Sequence, residues 1–181
     1  MKNHTLRKMV TCGVLSCFAL LAFMLESLFP PLILPGARMG ISNVFILLSA
    51  ILLGSVYGYA TLVVKIVLGS IFSGNVSSIM YSLPAGLISL TFELALFLWL
   101  KRTSIIATSV CGATINVTIQ NVVFCLVTQS TEYLVFLPYL SLIGIIGGLA
   151  VGFLVYLAID KINYNFVFNK EFYKQENQSE H

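Results

Sequence analysis

Long apolar runs constrain this chain more than any other feature of its sequence. Several stretches are apolar at consecutive positions for about 20 residues, the length that a helix needs to cross the roughly 30 Å apolar core of a bilayer. A membrane β-barrel would instead show short segments of alternating apolar and polar residues. The composition agrees, since 58% of the residues are hydrophobic, 9% are charged and the mean hydropathy is +0.95. The sequence therefore predicts an all-α membrane protein.

The runs predict six transmembrane helices. Their predicted spans are Met9–Phe29, Ile41–Gly54, Tyr57–Phe72, Ile79–Leu100, Ser104–Val127 and Tyr133–Ile159. Residues 41–72 are too many for one straight crossing and too few for two full ones. Two short crossings are favoured because they place eight basic residues on one side, which the positive-inside rule makes cytoplasmic. These residues are Lys2, Arg7, Lys8, Lys101, Arg102, Lys161, Lys170 and Lys174.

This topology predicts the organisation of the chain. We expect residues 1–162 to form one membrane domain and residues 163–181 to form a polar cytoplasmic tail. Both termini are then cytoplasmic, and the protein is a multi-pass component of the cell membrane.

Two basic residues are not explained by the topology. Arg38 lies in the outer loop after the first helix, where it is either a solvated charge or a ligand-binding group. Lys65 lies inside the third helix. A lysine in so short a helix can extend its ammonium to water, but a charge within the membrane usually faces a cavity or a partner and has a function.

Several amide side chains are expected in the same outer half of the membrane. Asn116 and Gln120 are four residues apart in the fifth helix and share one face, and Asn121 follows them. Asn75 lies in the outer turn after the third helix. Each amide alone is explained by hydrogen bonds between helices. Their convergence with the two cations predicts a pocket that opens to the outside.

Two glutamates lie within the apolar runs. Glu26 closes the outer end of the first helix, close to the expected pocket. Glu93 lies deep in the fourth helix toward the cytoplasm and fits the pocket less well. The sequence leaves open whether Glu93 is protonated or paired with a neighbour.

Two segments, "PGARMGISNVF" at 35–45 and "VVKIVLGSIFSGNVSSIMYSLPAGLISL" at 63–90, carry a family resemblance. They resemble the family called Gx transporter or heptaprenyl diphosphate synthase component I, and the similarity extends over roughly residues 10–160. The positions that follow the family pattern are Pro35, Gly36, Gly40, Asn43, Gly69, Ser70, Gly74 and Asn75. Family members commonly have lysine at position 38 and arginine at position 65. The two cations are exchanged here, which retains the charge and changes the donor geometry.

The family looks like the substrate-binding S components of energy-coupling factor transporters. The resemblance implies a six-helix bundle that captures a small nutrient or cofactor precursor from outside. It also implies docking on a transmembrane coupling subunit that two ATPase subunits drive. The candidate substrate-binding residues are Arg38, Asn43, Lys65, Asn75, Asn116, Gln120 and Asn121.

The chemistry of these side chains limits the substrate and the partners. Cations beside amides favour an anionic molecule. The chain has no G-x-x-x-x-G-K-[ST] phosphate loop, so ATP hydrolysis is expected from other subunits. We expect no cofactor, no metal and no nucleic-acid partner. The four cysteines form no C-x-x-C and are interpreted as small packing residues.

The loop "PGARMG" is predicted to be a lid over the pocket. Pro35 would stiffen the loop, and Gly36 and Gly40 would serve as hinges. Arg38 would then swing in to meet an anionic group that Lys65 holds from below.

Small residues predict where helices approach closely. S components of this kind usually dock through small residues spaced by four on the first helix, which makes Gly13, Ser16 and Cys17 the candidate docking residues. The last helix has a stronger pattern, "GIIGGLAVG", with glycines at positions 144, 148 and 152. Packing within the bundle is favoured for that face over docking.

The second family name raises an alternative function. Chain-elongating prenyltransferases hold magnesium with aspartate-rich motifs, because this hard ion needs carboxylate oxygens. This chain has one aspartate, Asp160, so we expect no enzymatic activity and no catalytic residues. The alternative is a non-catalytic membrane subunit associated with polyprenyl diphosphate synthesis.

Overall fold

The computed structural model describes residues 2–28, 40–99 and 104–161, and these ranges contain helices and turns without any strand. The α-helices are α1 (Lys2–Leu28), α2 (Asn43–Leu53), α3 (Ser55–Phe72), α4 (Ile79–Trp99), α5 (Ile105–Thr128) and α6 (Leu137–Lys161). Two short 3-10 helices, Val76–Ser78 and Thr131–Phe136, precede α4 and α6. Residues 35–39 of the predicted lid, which include Arg38, and the predicted tail lie outside the described residues.

Five of the six α-helices in the described ranges are long and apolar enough to cross a membrane. In each of these five helices, fewer than half of the residues in the most apolar 18-residue window are buried inside the bundle. Such a surface suits lipid, in which helices satisfy their own backbone hydrogen bonds. The predicted all-α membrane fold with six helices is confirmed.

Helix α2 is shorter than the predicted span Ile41–Gly54. Its 11 residues rise about 16 Å, roughly half of the apolar thickness of a bilayer. Nine of them are buried, because α2 packs against α1, α3 and α6 at once. A helix that is apolar on all sides belongs in a core, so α2 is the central helix of the bundle.

Helices α2 and α3 form an antiparallel hairpin around Gly54. This residue has φ 116° and ψ 161°, a conformation that is essentially restricted to glycine. Lys65 pairs with Asn43 across the hairpin, and a Cβ on Gly58 would lie 2.6 Å from the Cβ of Ala50. The start of α2 is therefore at the same level of the bundle as Lys65. Lys65 itself lies about 10 Å of helix rise before the end of α3.

Helices α5 and α6 are in close backbone contact at the predicted glycine face. A Cβ on Gly148 would lie 2.7 Å from the Cα of Val110, and one on Gly152 would lie 2.7 Å from the Cα of Ile106. The prediction that these glycines pack within the bundle is confirmed. Only glycine allows two helix backbones to approach so closely.

The predicted docking residues on α1 do not share one outer face. Ser16 is buried, and its hydroxyl donates to Thr61 Oγ1 at 3.3 Å, so it faces α3. Ser16 is therefore not on the exposed face of α1, because the spacing of small residues does not reveal which side of a helix is already occupied. Gly13 and Cys17 are exposed, and no described atom lies within 4 Å of a Cβ built on Gly13.

Candidate functional site

A cavity of about 110 Å³ lies among the helices, with lining residues from α1 and from α3 to α6 and from the start of α2. This is several times the space that one water molecule needs. The first residues of α2 contribute to the lining because α2 begins inside the bundle rather than at the bundle's surface. Polar side chains on neighbouring helices thereby line one shared cavity.

Five of the seven predicted substrate-binding residues line this cavity. They are Asn43, Lys65, Asn116, Gln120 and Asn121. Arg38 lies outside the described residues, so the structure does not place it. The cavity thus collects residues from α2, α3 and α5 that are far apart in the sequence.

Asn75 does not line the cavity. Its side chain is exposed, and its backbone carbonyl accepts hydrogen bonds from the amide and the hydroxyl of Ser78, at 3.1 and 2.7 Å. The turn begins at Gly74, which has φ 71°. The structure therefore places Asn75 in the turn after α3 and outside the described lining of the cavity, and its role in substrate binding stays a prediction.

Lys65 is held at a defined position in the wall of the cavity. It is only 7% exposed, and its ammonium donates to Asn43 Oδ1 at 2.7 Å. The Nζ atom also lies 5.6 Å from the ring centroid of Phe23, a favourable arrangement for a cation over an aromatic face. Gly69 lies one turn farther along α3. A Cβ at this position would overlap the Phe23 ring, so the glycine leaves the space that the ring occupies. The positive charge is thus fixed by α1 and α2 together.

Glu26 connects α1 to the segment that leads into α2. One carboxylate oxygen accepts from the Ser42 amide at 3.1 Å, and the other accepts from the Ser42 hydroxyl at 3.4 Å. Gly40 precedes this contact with φ 75°, and its carbonyl accepts from the Asn43 amide at 2.8 Å. Glu26 therefore anchors the end of the predicted lid segment to the rim of the cavity.

The amides on α5 combine cavity lining with bonds between elements. Gln120 Nε2 donates to Ser82 Oγ on α4 at 3.3 Å. Asn121 Nδ2 donates to the Tyr133 carbonyl at 3.4 Å, which connects α5 to the 3-10 helix before α6. Asn116 lines both the main cavity and a second one of about 30 Å³.

An aromatic group forms one side of the cavity. The rings of Tyr81 and Phe124 meet edge to face with centroids 5.5 Å apart. Phe124 and Tyr133 do the same at 5.1 Å. Tyr81 and Phe124 line the cavity, so it offers an apolar surface for a ring or a short carbon chain beside its polar groups.

Glu93 is a cavity residue that was not among the predicted substrate-binding residues. It lines the main cavity and the second one, and it interacts electrostatically with Lys65. A Cβ on Gly112 would overlap the Glu93 carboxylate, so the missing side chain at Gly112 provides its space. The signal was present, because a carboxylate inside the membrane is a functional candidate by default. The sequence places Glu93 deep in α4 toward the cytoplasm, so its proximity to Lys65 was not apparent.

Comparison with known proteins places the chain in a family. The sequence profile of heptaprenyl diphosphate synthase component I matches residues 15–157, a range that includes the whole cavity lining. No curated protein and no solved structure is significantly similar to the chain. Because the profile matches more than half of the sequence, the chain belongs to the heptaprenyl diphosphate synthase component I family.

Proposed function

We propose that this protein is the substrate-binding S component of an energy-coupling factor importer, and that it captures a small nutrient or cofactor precursor. The observation that carries the proposal is the cavity that Lys65 lines together with the amides of Asn43, Asn116 and Gln120. Placing a lysine inside a membrane bundle is unfavourable unless a partner or ligand compensates it. A cation with nearby amide donors suits an acidic group of a ligand.

The position of the cavity supports capture from outside. The end of α1, the α3–α4 connection and the end of α5 lie on the same side of the antiparallel bundle. With cytoplasmic termini, this side is the outer one, and Glu26, Ser78 and Phe124 line the cavity near it. The protein then resides in the cell membrane with an outward-facing site.

This orientation predicts a cysteine-labelling pattern. In a variant without native cysteines, cysteines introduced for Asn75 or Gln129 should react with a membrane-impermeant maleimide in intact cells, because both positions are exposed in outer turns. A cysteine at position 37 should react as well. One introduced for Lys101 should react only after permeabilisation. Labelling of position 101 in intact cells would reverse the proposed orientation.

The proposed partners are a transmembrane coupling subunit and two ATPase subunits. Affinity isolation of the tagged protein from mild detergent should recover all three. Gly13→Leu should reduce their recovery, because Gly13 is exposed on α1 with open space around it, where a partner helix can approach. Ala150→Leu, an enlargement that is smaller by one carbon at an exposed position on α6, is the control. Equal recovery from both variants would contradict docking at Gly13.

The family description favours a second candidate, a non-catalytic membrane subunit associated with polyprenyl diphosphate synthesis. The aromatic side of the cavity would then contact an isoprenoid portion. The same isolation distinguishes the two candidates. Recovery of a prenyl diphosphate synthase without ATPases supports the second candidate and contradicts the importer. In both cases we propose that the chain itself is not an enzyme.

A further inference from the structure

We propose that the compound bound in this cavity is zwitterionic, with an acidic group at Lys65 and a positively charged nitrogen at Glu93. The inference rests on the proposed function, since it names the class of substrate for the same cavity. The expected class of substrate is then narrower than a simple anion, because one small molecule must carry two opposite charges.

The charges of the lining residues carry the first step. The described lining of the cavity contains Lys65 together with two glutamates, Glu26 and Glu93. A simple anion at Lys65 would therefore be repelled by these carboxylates, in surroundings where water screens charges poorly. A ligand that also carries a cation avoids this repulsion.

The two glutamates differ in the partners that the protein supplies. Glu26 accepts hydrogen bonds from the amide and hydroxyl of Ser42, so its carboxylate is already used to anchor α2. No residue in the described ranges donates a hydrogen bond to the Glu93 carboxylate. The Glu93 carboxylate oxygens line the cavity and can accept hydrogen bonds, which a ligand nitrogen with several N–H groups would donate.

The space around Glu93 fits such a group. The second cavity, about 30 Å³ in volume, is lined by Glu93, Asn43 and Asn116 together with further residues of α5 and α6. An ammonium-sized group has room there beside the carboxylate, and the amide oxygens can accept its remaining hydrogens. Asn43 accepts from Lys65 and also lines this space, so the sites for the two charges adjoin.

The test uses the full-length protein in detergent, immobilised and exposed to a small-molecule extract of the native host cells. Bound compounds are eluted and identified by mass spectrometry. The wild-type protein should enrich a compound that has both an acidic group and a basic nitrogen. Lys65→Gln and Glu93→Gln should each lower its recovery by about tenfold or more, the effect of losing a hydrogen bond between charged groups.

Matched controls are Lys161→Gln and Glu132→Gln, which neutralise exposed charges outside the cavity and should leave recovery unchanged. Size-exclusion profiles report whether each variant is folded. If Glu93→Gln does not fold, the charged groups of the compound bound to the wild type still decide the question.

The outcomes separate the inference from the proposed function. A bound acid without a basic nitrogen, or a bound amine without an acidic group, overturns the inference that the ligand is zwitterionic. Either result agrees with the proposed function as a substrate-binding subunit. Equal recovery of the compound by folded Glu93→Gln also overturns it. If the wild type enriches nothing beyond the protein-free matrix, the proposed function itself fails.

Discussion

Replacing Lys65 with alanine should weaken binding of the captured compound by about 10- to 150-fold, or about 1.5–3 kcal/mol, the range for hydrogen bonds to charged groups. The loss is expected to be large because the ammonium is 7% exposed and is oriented by Asn43 at 2.7 Å. A charge in such a site is poorly screened by water and salt. Isothermal titration of the detergent-purified protein with the identified compound measures the effect.

Two further variants separate charge from packing. Lys65→Arg retains the charge and should keep more affinity than Lys65→Ala. Lys161→Ala removes an exposed lysine at the end of α6 and should leave affinity unchanged. If Lys65→Ala binds as tightly as the wild type, the lysine serves only the packing of the hairpin.

Gly148→Leu should cause a large loss of stability, about 3 kcal/mol, at the upper end of the range for overpacking. A Cβ there would lie 2.7 Å from the Val110 Cα and 2.9 Å from the Ser109 carbonyl oxygen. These are backbone atoms of α5, which cannot move aside by a rotamer change. The two helices would have to separate along the interface that Gly144 and Gly152 also form. Thermal unfolding in detergent, followed by size-exclusion chromatography, measures the loss.

Gly13→Leu is the matched control for this prediction. A Cβ at Gly13 meets no described atom within 4 Å, so the same enlargement on α1 should change stability by no more than about 0.5 kcal/mol. Similar melting temperatures for Gly148→Leu and the wild type would contradict the contact between α5 and α6.

Part of the candidate site was predictable because polar groups within a membrane are rare. Lys65, Asn116 and Gln120 are conspicuous in apolar helices, and the cavity includes all three. Asn75 does not line the cavity with them, since an asparagine after a glycine serves a turn as readily as a pocket. Glu93 was not included because position along a helix gives the depth of a Cα, whereas its carboxylate occupies the space that Gly112 leaves open on α5.

The sequence by itself determined the class of the protein and the extent of its long helices. The thickness of a bilayer imposes runs of about 20 apolar residues, and this requirement is local to each run. The glycine spacing on α6 likewise predicted a close helix contact, because a residue without a side chain has that consequence in any apolar bundle.

Only the tertiary structure decided which residues meet. Asn43 and Lys65 are 22 positions apart and come together because Gly54 reverses the chain and α2 lies at the centre of the bundle. The same packing turned Ser16 inward against Thr61 and brought Glu93 to the cavity. Such contacts depend on how all six helices share the available space, and no local pattern of residues contains that information.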